Sequence, residues 1–143
     1  MLMKKTFVLL AVCGILSLSC CTSGSSGNLA EKFQGMKADT SFVLSSMCEP
    51  FDSAYVVTPY SQELPIEKNV KCEEGLKQKI ISANGSPENS TFLLFVSNGE
   101  VVSYAEIARE YADFSTLGEK AKIYRNQRLY LDKDRKINVE NNK

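Results

Sequence analysis

The chain has 143 residues, with 17 basic, 17 acidic and no histidine side chains, so its formal charge at pH 7 is zero. The absence of imidazole removes the commonest general base and metal ligand, and with it every Ser–His or Cys–His dyad. A charge-balanced chain of this length has no general attraction for nucleic acid and is one domain's worth of sequence.

Residues 1–21 read as a bacterial lipoprotein signal. Lys4 and Lys5 give a basic start, Phe7 to Leu18 is an apolar run, and Leu16-Ser17-Leu18-Ser19-Cys20-Cys21 places a small residue before a cysteine. That order is a secretory signal, and the run is shorter than the ~18–20 apolar residues of a membrane span. Ser19 makes Cys20 the expected acylation site. Cys21 is the alternative, with Leu18 three positions upstream. Two or more acyl chains anchor a protein stably where one does not. The expected division is a signal peptide at 1–19, a lipidated cysteine and Ser/Gly tether at 20–28, and a single domain at 29–140. The expected location is the cell envelope, and the lack of Asp after Cys20 matches sorting to the outer membrane. Cleavage before Cys20 leaves 124 residues with 15 basic and 17 acidic side chains, a net charge of −2.

Asn28 is placed to cap a short helix whose Leu29, Phe33 and Met36 share a face, with Gly35 weakening it. Asp39-Thr40-Ser41 resembles another cap and predicts a helix over Phe42 to Met47, ending before Pro50. Ala54 to Thr58 is rich in β-formers and stops at Pro59, and Tyr60 to Lys68 reads as a loop. Asn69 then caps a helix with a Cys72, Leu76, Ile80 stripe and an Asn84-Gly85 stop. Thr91–Ser97 and Glu100–Ile107 flank Asn98-Gly99, which predicts a type I′ hairpin pairing Val96 with Val101, Phe95 with Val102 and Leu93 with Tyr104. Both faces of its first strand are apolar, so that strand is expected to be central and covered on both sides. Lys122–Leu131 and Lys136–Val139 read as a last hairpin. The sum is an α+β domain: a small antiparallel sheet with an apolar central hairpin and two or three short helices packed against it.

Charge is uneven. Glu31 to Asp113 holds 13 acidic and 7 basic residues, Glu119 to Lys143 holds 4 and 8. The basic end is a solvated face or a contact for acidic groups. Of the five cysteines, Cys13 lies within the signal, and Cys48 and Cys72 fall in the folded part. In an oxidising compartment they are either a disulfide, worth on the order of 3 kcal/mol for a loop of that size, or two separate buried thiols. No C-x-x-C spacing is present to suggest a thioredoxin-like site.

Phe51-Asp52-Ser53-Ala54-Tyr55-Val56-Val57-Thr58-Pro59-Tyr60 resembles a segment of Phe/Trp-Asp, a hydrophobic strand and Pro-Tyr. Phe92 to Val96 with Gly99, Val101, Val102, Tyr104, Glu106, Arg109 and Asp113-Phe114 resembles the hairpin that follows that segment. Together, across Phe51 to Leu131, they are similar to a group of uncharacterised small bacterial exported proteins and lipoproteins. The chain departs from that group in having no Trp. The resemblance implies export, and no activity, cofactor or catalytic residue.

Candidate sites are few. Asp132-x-Asp134 lacks the Gly and Glu that complete a calcium loop, so no metal or other cofactor is expected. Tyr55, Tyr60 and Tyr104, with Arg109 and Asp113, form the candidate binding surface, since exposed tyrosines offer apolar area with a polar tip. Tyrosines that cap the core and an Arg109–Asp113 salt bridge are the structural alternative. The leading reading is a lipid-anchored envelope protein that binds a protein or cell-wall partner without catalysis. An inhibitor presenting the Asn98-Gly99 turn or the Tyr60 to Lys68 loop to a hydrolase is a second reading. An enzyme using carboxylates alone requires Asp52, Glu106 and Asp113 to converge.

Overall fold

In the computed structural model of the chain, which describes residues 27–84 and 89–141, the run Ser90–Ser97 is buried on both faces. It is strand β3 of a larger assembly. The elements in order are helix α1 (Gly27–Gly35), β1 (Thr40–Val43), β2 (Ser53–Val57), helix α2 (Glu74–Asn84), β3, β4 (Glu100–Ala108), β5 (Lys122–Tyr124), β6 (Arg128–Leu131) and β7 (Ile137–Val139). Short 3-10 turns occupy Leu44–Ser46 and Phe114–Leu117. The strands form two antiparallel sheets, one in the order β4-β3-β2-β5 and a smaller one in the order β1-β6-β7. The expected α+β class is what the structure has, with two sheets in place of one.

The period-2 alternation of the central strands splits the apolar residues into two cores. Ala54 and Val56 of β2 and Leu93 and Phe95 of β3 face α1 and the small sheet, joining Leu29, Phe33, Leu44, Phe51, Phe114, Leu129 and Ile137. Tyr55 and Val57, with Phe92, Leu94 and Val96, face the opposite way onto Leu76 and Ile80 of α2. The long apolar run of β3 is therefore required by a layer on each side.

Several local expectations yield to this arrangement. Phe42 belongs to strand β1, because it pairs with Leu129 across the small sheet and buries its ring edge-on against Phe33. Cap chemistry at Asp39-Thr40-Ser41 is outweighed by that pairing: Asp39 takes φ 57° in the bend just before β1, and Thr40 and Ser41 lie in the strand. Helix α2 starts at Glu74 and not near Asn69, since Lys71 lies extended along the hairpin tip, donating to Gly99 O at 2.8 Å and accepting from Val101 N at 2.8 Å. Cys72 is thus outside the helix, and Gly85 of the expected stop lies outside the described residues. Lys122–Leu131 is not one strand: β5 adds to the large sheet and β6 to the small one, with β6 and β7 alone forming the last hairpin.

The Asn98-Gly99 turn has φ 52° and 76°, the positive pair of a type I′ hairpin. Val96 pairs with Val101 as expected, but a bulge follows, and Phe95 pairs with Ser103, Leu94 with Tyr104 and Leu93 with Ala105. Val102 is the extra residue and is exposed. The bulge has a clear cause. In a straight strand Val101, Ala105 and Ile107 would share one face, which would turn Glu106 into the α1-side core. With the extra residue, Val101 covers the α2 side, Ala105 and Ile107 fill the α1 side, and Glu106 stays in solvent.

Arg135 ties α1 to the body. Its guanidinium donates to Phe33 O and Met36 O, each at 2.6 Å, and to Tyr111 O at 2.8 Å. A cation on the carbonyls that end a helix satisfies orphan acceptors and suits the helix dipole. Arg135 itself sits at φ 64° in the β6–β7 turn.

Candidate functional site

Antiparallel pairing of β5 with β2 sets Lys122 directly opposite Tyr55 and Tyr124 opposite Ser53. Cross-strand neighbours share a face. The Lys122 ammonium consequently lies 5.6 Å from the Tyr55 ring centre and 5.3 Å from that of Tyr124, within cation–π range of both. It also donates to Glu67 Oε1 at 2.9 Å. That bond and the opposite charge draw the Glu67 carboxyl below the ordinary glutamate range, and the same hydrogen bond holds Lys122 above the ordinary lysine range.

These residues stand at one end of a surface groove of about 740 Å³. Its wall is the segment from Thr58 to Lys68, its apolar surface comes from Leu64, Pro65 and Ile66, and Glu119, Lys120 and Lys122 also line it. Tyr55 is only 2% exposed, and its buried hydroxyl makes no hydrogen bond of normal geometry even though Glu67 and Lys122 lie beside it. A buried phenol whose hydrogen bond is poorly formed costs stability and is uncommon. The wall is fixed from behind. Asn84, at the end of α2, donates to Thr58 O at 3.1 Å and to Ser61 O at 3.2 Å. Between those carbonyls Pro59-Tyr60 makes a tight turn in which Tyr60 takes φ 66°, and Lys120 across the groove takes φ 60°. Non-glycine residues held at positive φ store strain, a feature that gathers at ligand sites.

The structure separates the residues of the expected binding surface. Tyr55 lies in the groove. Tyr60 is 59% exposed in the turn at its rim. Tyr104 lies on β4, its ring packed against Phe92 at 6.1 Å, and covers the α2-side core. Arg109 and Asp113 form an ion pair at 3.1 Å beyond the far end of β4. Asp113 is structural: its side chain accepts from Ser115 N at 3.0 Å and its main chain bonds Arg135 O and Ile137 N. Burial pushes its carboxyl upward, but hydrogen bonds from Arg109 and Ser115 outweigh that and leave it below the ordinary aspartate value.

The carboxylates of the enzymatic reading do not converge. Asp52 accepts the Asn98 N–H at 2.8 Å at the hairpin tip, Glu106 is exposed on β4, and Asp113 lies past the other end of the hairpin. Asp132 spends its oxygens on Asp134 N, Lys136 N and the Asn138 amide, a turn of the β6–β7 connection. Among the described residues no three acidic or cysteine side chains gather as a cation site.

The two thiols also part company. Cys48 packs against the α1-side core and Cys72 against the α2-side core, and both are free. The disulfide considered from sequence is corrected accordingly: the large sheet stands between the two cores. Burial pushes the Cys48 thiol up to about 11, and burial raises that of Cys72 as well. Cys20 and Cys21 lie outside the described residues.

In the sequence Lys122 stands out only as part of the basic end, a solvated face or a contact for acidic groups, and Glu67 and Tyr124 do not stand out at all. The alternation Lys122-Ile123-Tyr124 carries the signal that Lys122 and Tyr124 share a face, yet only the pairing with β2 puts Tyr55 and then Glu67 on that face. No protein-family profile matches the chain, and no curated protein or solved structure is significantly similar to it.

Proposed function

We propose that the protein is a lipoprotein of the bacterial cell envelope whose domain is a non-catalytic binding module, with the groove beside Tyr55 and Lys122 as its binding surface. Anchoring rests on the basic start, the apolar run and Ser19-Cys20, and the resemblance of Phe51 to Leu131 to exported proteins agrees with it. Binding rests on one observation above the others: the groove ends on a fixed cation, an unsatisfied phenol and an apolar wall, the mixture that ligand sites use to combine affinity with orientation. A lipid anchor on Cys20 would hold this surface at the membrane through the Ser/Gly tether, within reach of envelope components.

Metabolic labelling with a tagged fatty acid tests the anchor. The parent protein should take up label and sediment with membranes, and Cys20→Ala should lose both. Label kept in Cys20→Ala and lost in Cys21→Ala moves the site one residue on. No label in the parent overturns the lipoprotein reading.

A further inference from the structure

We infer that the groove binds a single carboxylate borne on a small apolar unit, with the Lys122 ammonium and the Tyr55 hydroxyl as its paired donors and Glu67 as the internal carboxylate it displaces. This rests on the reading of the domain as a binding module. The donors are of two kinds, both fixed before any ligand arrives. Lys122 is 27% exposed, lodged between the Tyr55 and Tyr124 rings, and has donors to spare beyond the one given to Glu67. Tyr55 is held by the sheet and the α2-side core, its hydroxyl beside Glu67 but without a hydrogen bond of normal geometry. A carboxylate has two oxygens and accepts from both at once.

Glu67 already performs half of this. Its Oε1 takes the Lys122 bond at 2.9 Å, but from its place on the groove wall it leaves the phenol without a properly formed bond. Its side chain is 53% exposed, so it can swing into water when another carboxylate takes its place. A ligand that satisfies both donors gains the bond that the resting protein lacks. The remaining charges limit what fits. Glu63, Glu119, Lys68 and Lys120 also line the groove, a balanced set that leaves Lys122 as the surplus positive charge once Glu67 is displaced, enough for one negative charge and not for a polyanion. Leu64, Pro65 and Ile66 give the group next to the carboxylate an apolar seat. The end of a short apolar peptide and a short branched-chain carboxylic acid both carry this chemistry.

The test uses the full-length lipoprotein in detergent and calorimetric titration with N-acetyl-alanyl-alanine, its C-terminal amide, and isovalerate. At least one acid should bind while the amide does not, and the tighter acid names the source. Lys122→Met and Tyr55→Phe should each weaken binding about tenfold, the scale of one lost charge-assisted hydrogen bond. Tyr55→Phe should leave the melting temperature unchanged or raise it, because the hydroxyl it removes is unsatisfied. Glu67→Gln should tighten binding several-fold, an effect that a purely structural Glu67–Lys122 pair would not produce. Equal binding of acid and amide, or weaker binding by Glu67→Gln, overturns the inference. A photo-crosslinking residue at Gln62 in living cells separates this from the broader reading. Adducts there, with no acid binding in vitro, overturn the carboxylate and leave the binding module standing. Neither adducts nor binding overturns both.

Discussion

Asp113 shows how much one residue holds in place. Its side chain caps the start of the 3-10 turn at Phe114–Leu117 and pairs with Arg109, while its backbone links that turn to β7. A carboxyl whose pKa is lower in the fold than in the unfolded chain binds protons more weakly when folded. Its contribution is therefore complete above the unfolded value, about 3.9, and is lost as pH falls through the lower folded value. Urea midpoints should be flat from neutrality to about pH 5 and decline below about pH 4. Asp113→Asn should cost about 1–2 kcal/mol at pH 7 and make the acid decline shallower. A decline of unchanged steepness in the variant would assign the acid sensitivity to other carboxylates.

Among the elements, the β3–β4 hairpin is the one whose local chemistry and tertiary role agree at the turn and diverge beyond it. Asn98-Gly99 adopts the two positive φ values its sequence calls for, and Asp52 and Lys71 brace the tip from outside. Open space surrounds the position where a Cβ on Gly99 would sit, so backbone strain is the chief penalty of a larger residue there. Gly99→Val should destabilise by about 1–3 kcal/mol in equilibrium unfolding, since a β-branched residue is poorly tolerated at φ 76°. An unchanged melting temperature would show that the tip can switch to another turn. Beyond the turn, the bulge at Val102 lets a strand of single parity serve two cores. Parity counting from the turn alone misses it, because the reason for it is Glu106, four residues further on.

At the scale of the whole molecule, the large sheet is a partition. It keeps Cys48 and Cys72 on different cores, so oxidation cannot join them without unfolding. In a Cys13→Ser, Cys20→Ser, Cys21→Ser background, the denatured protein should titrate two free thiols without reductant. The native protein should react slowly, because thiols with raised pKa values hold little thiolate at neutral pH. A count of zero would mean that the cores exchange partners during folding. The partition also creates the groove: β5 is only three residues long, and the chain from Thr58 to Lys68 runs alongside the end of the sheet where β5 stops short.

Features that depend on near neighbours are legible in the residues alone. These are the helix at Leu29 and Phe33, the strand after Phe51-Asp52, the turn at Asn98-Gly99, the two-faced burial of β3 and the α+β class. Each follows from periodicity or from a dihedral preference acting over a few residues. Tertiary structure alone decided that Phe42 lies in a strand, that Lys71 delays α2, that Lys122–Leu131 divides between two sheets and that the cysteines remain apart. It also decided the candidate site. Tyr55, Glu67 and Lys122 are far apart along the chain and become neighbours only through the β2–β5 register and the return of the loop. Pairing across such distances is selected by total burial and hydrogen bonding, which no local window of residues contains.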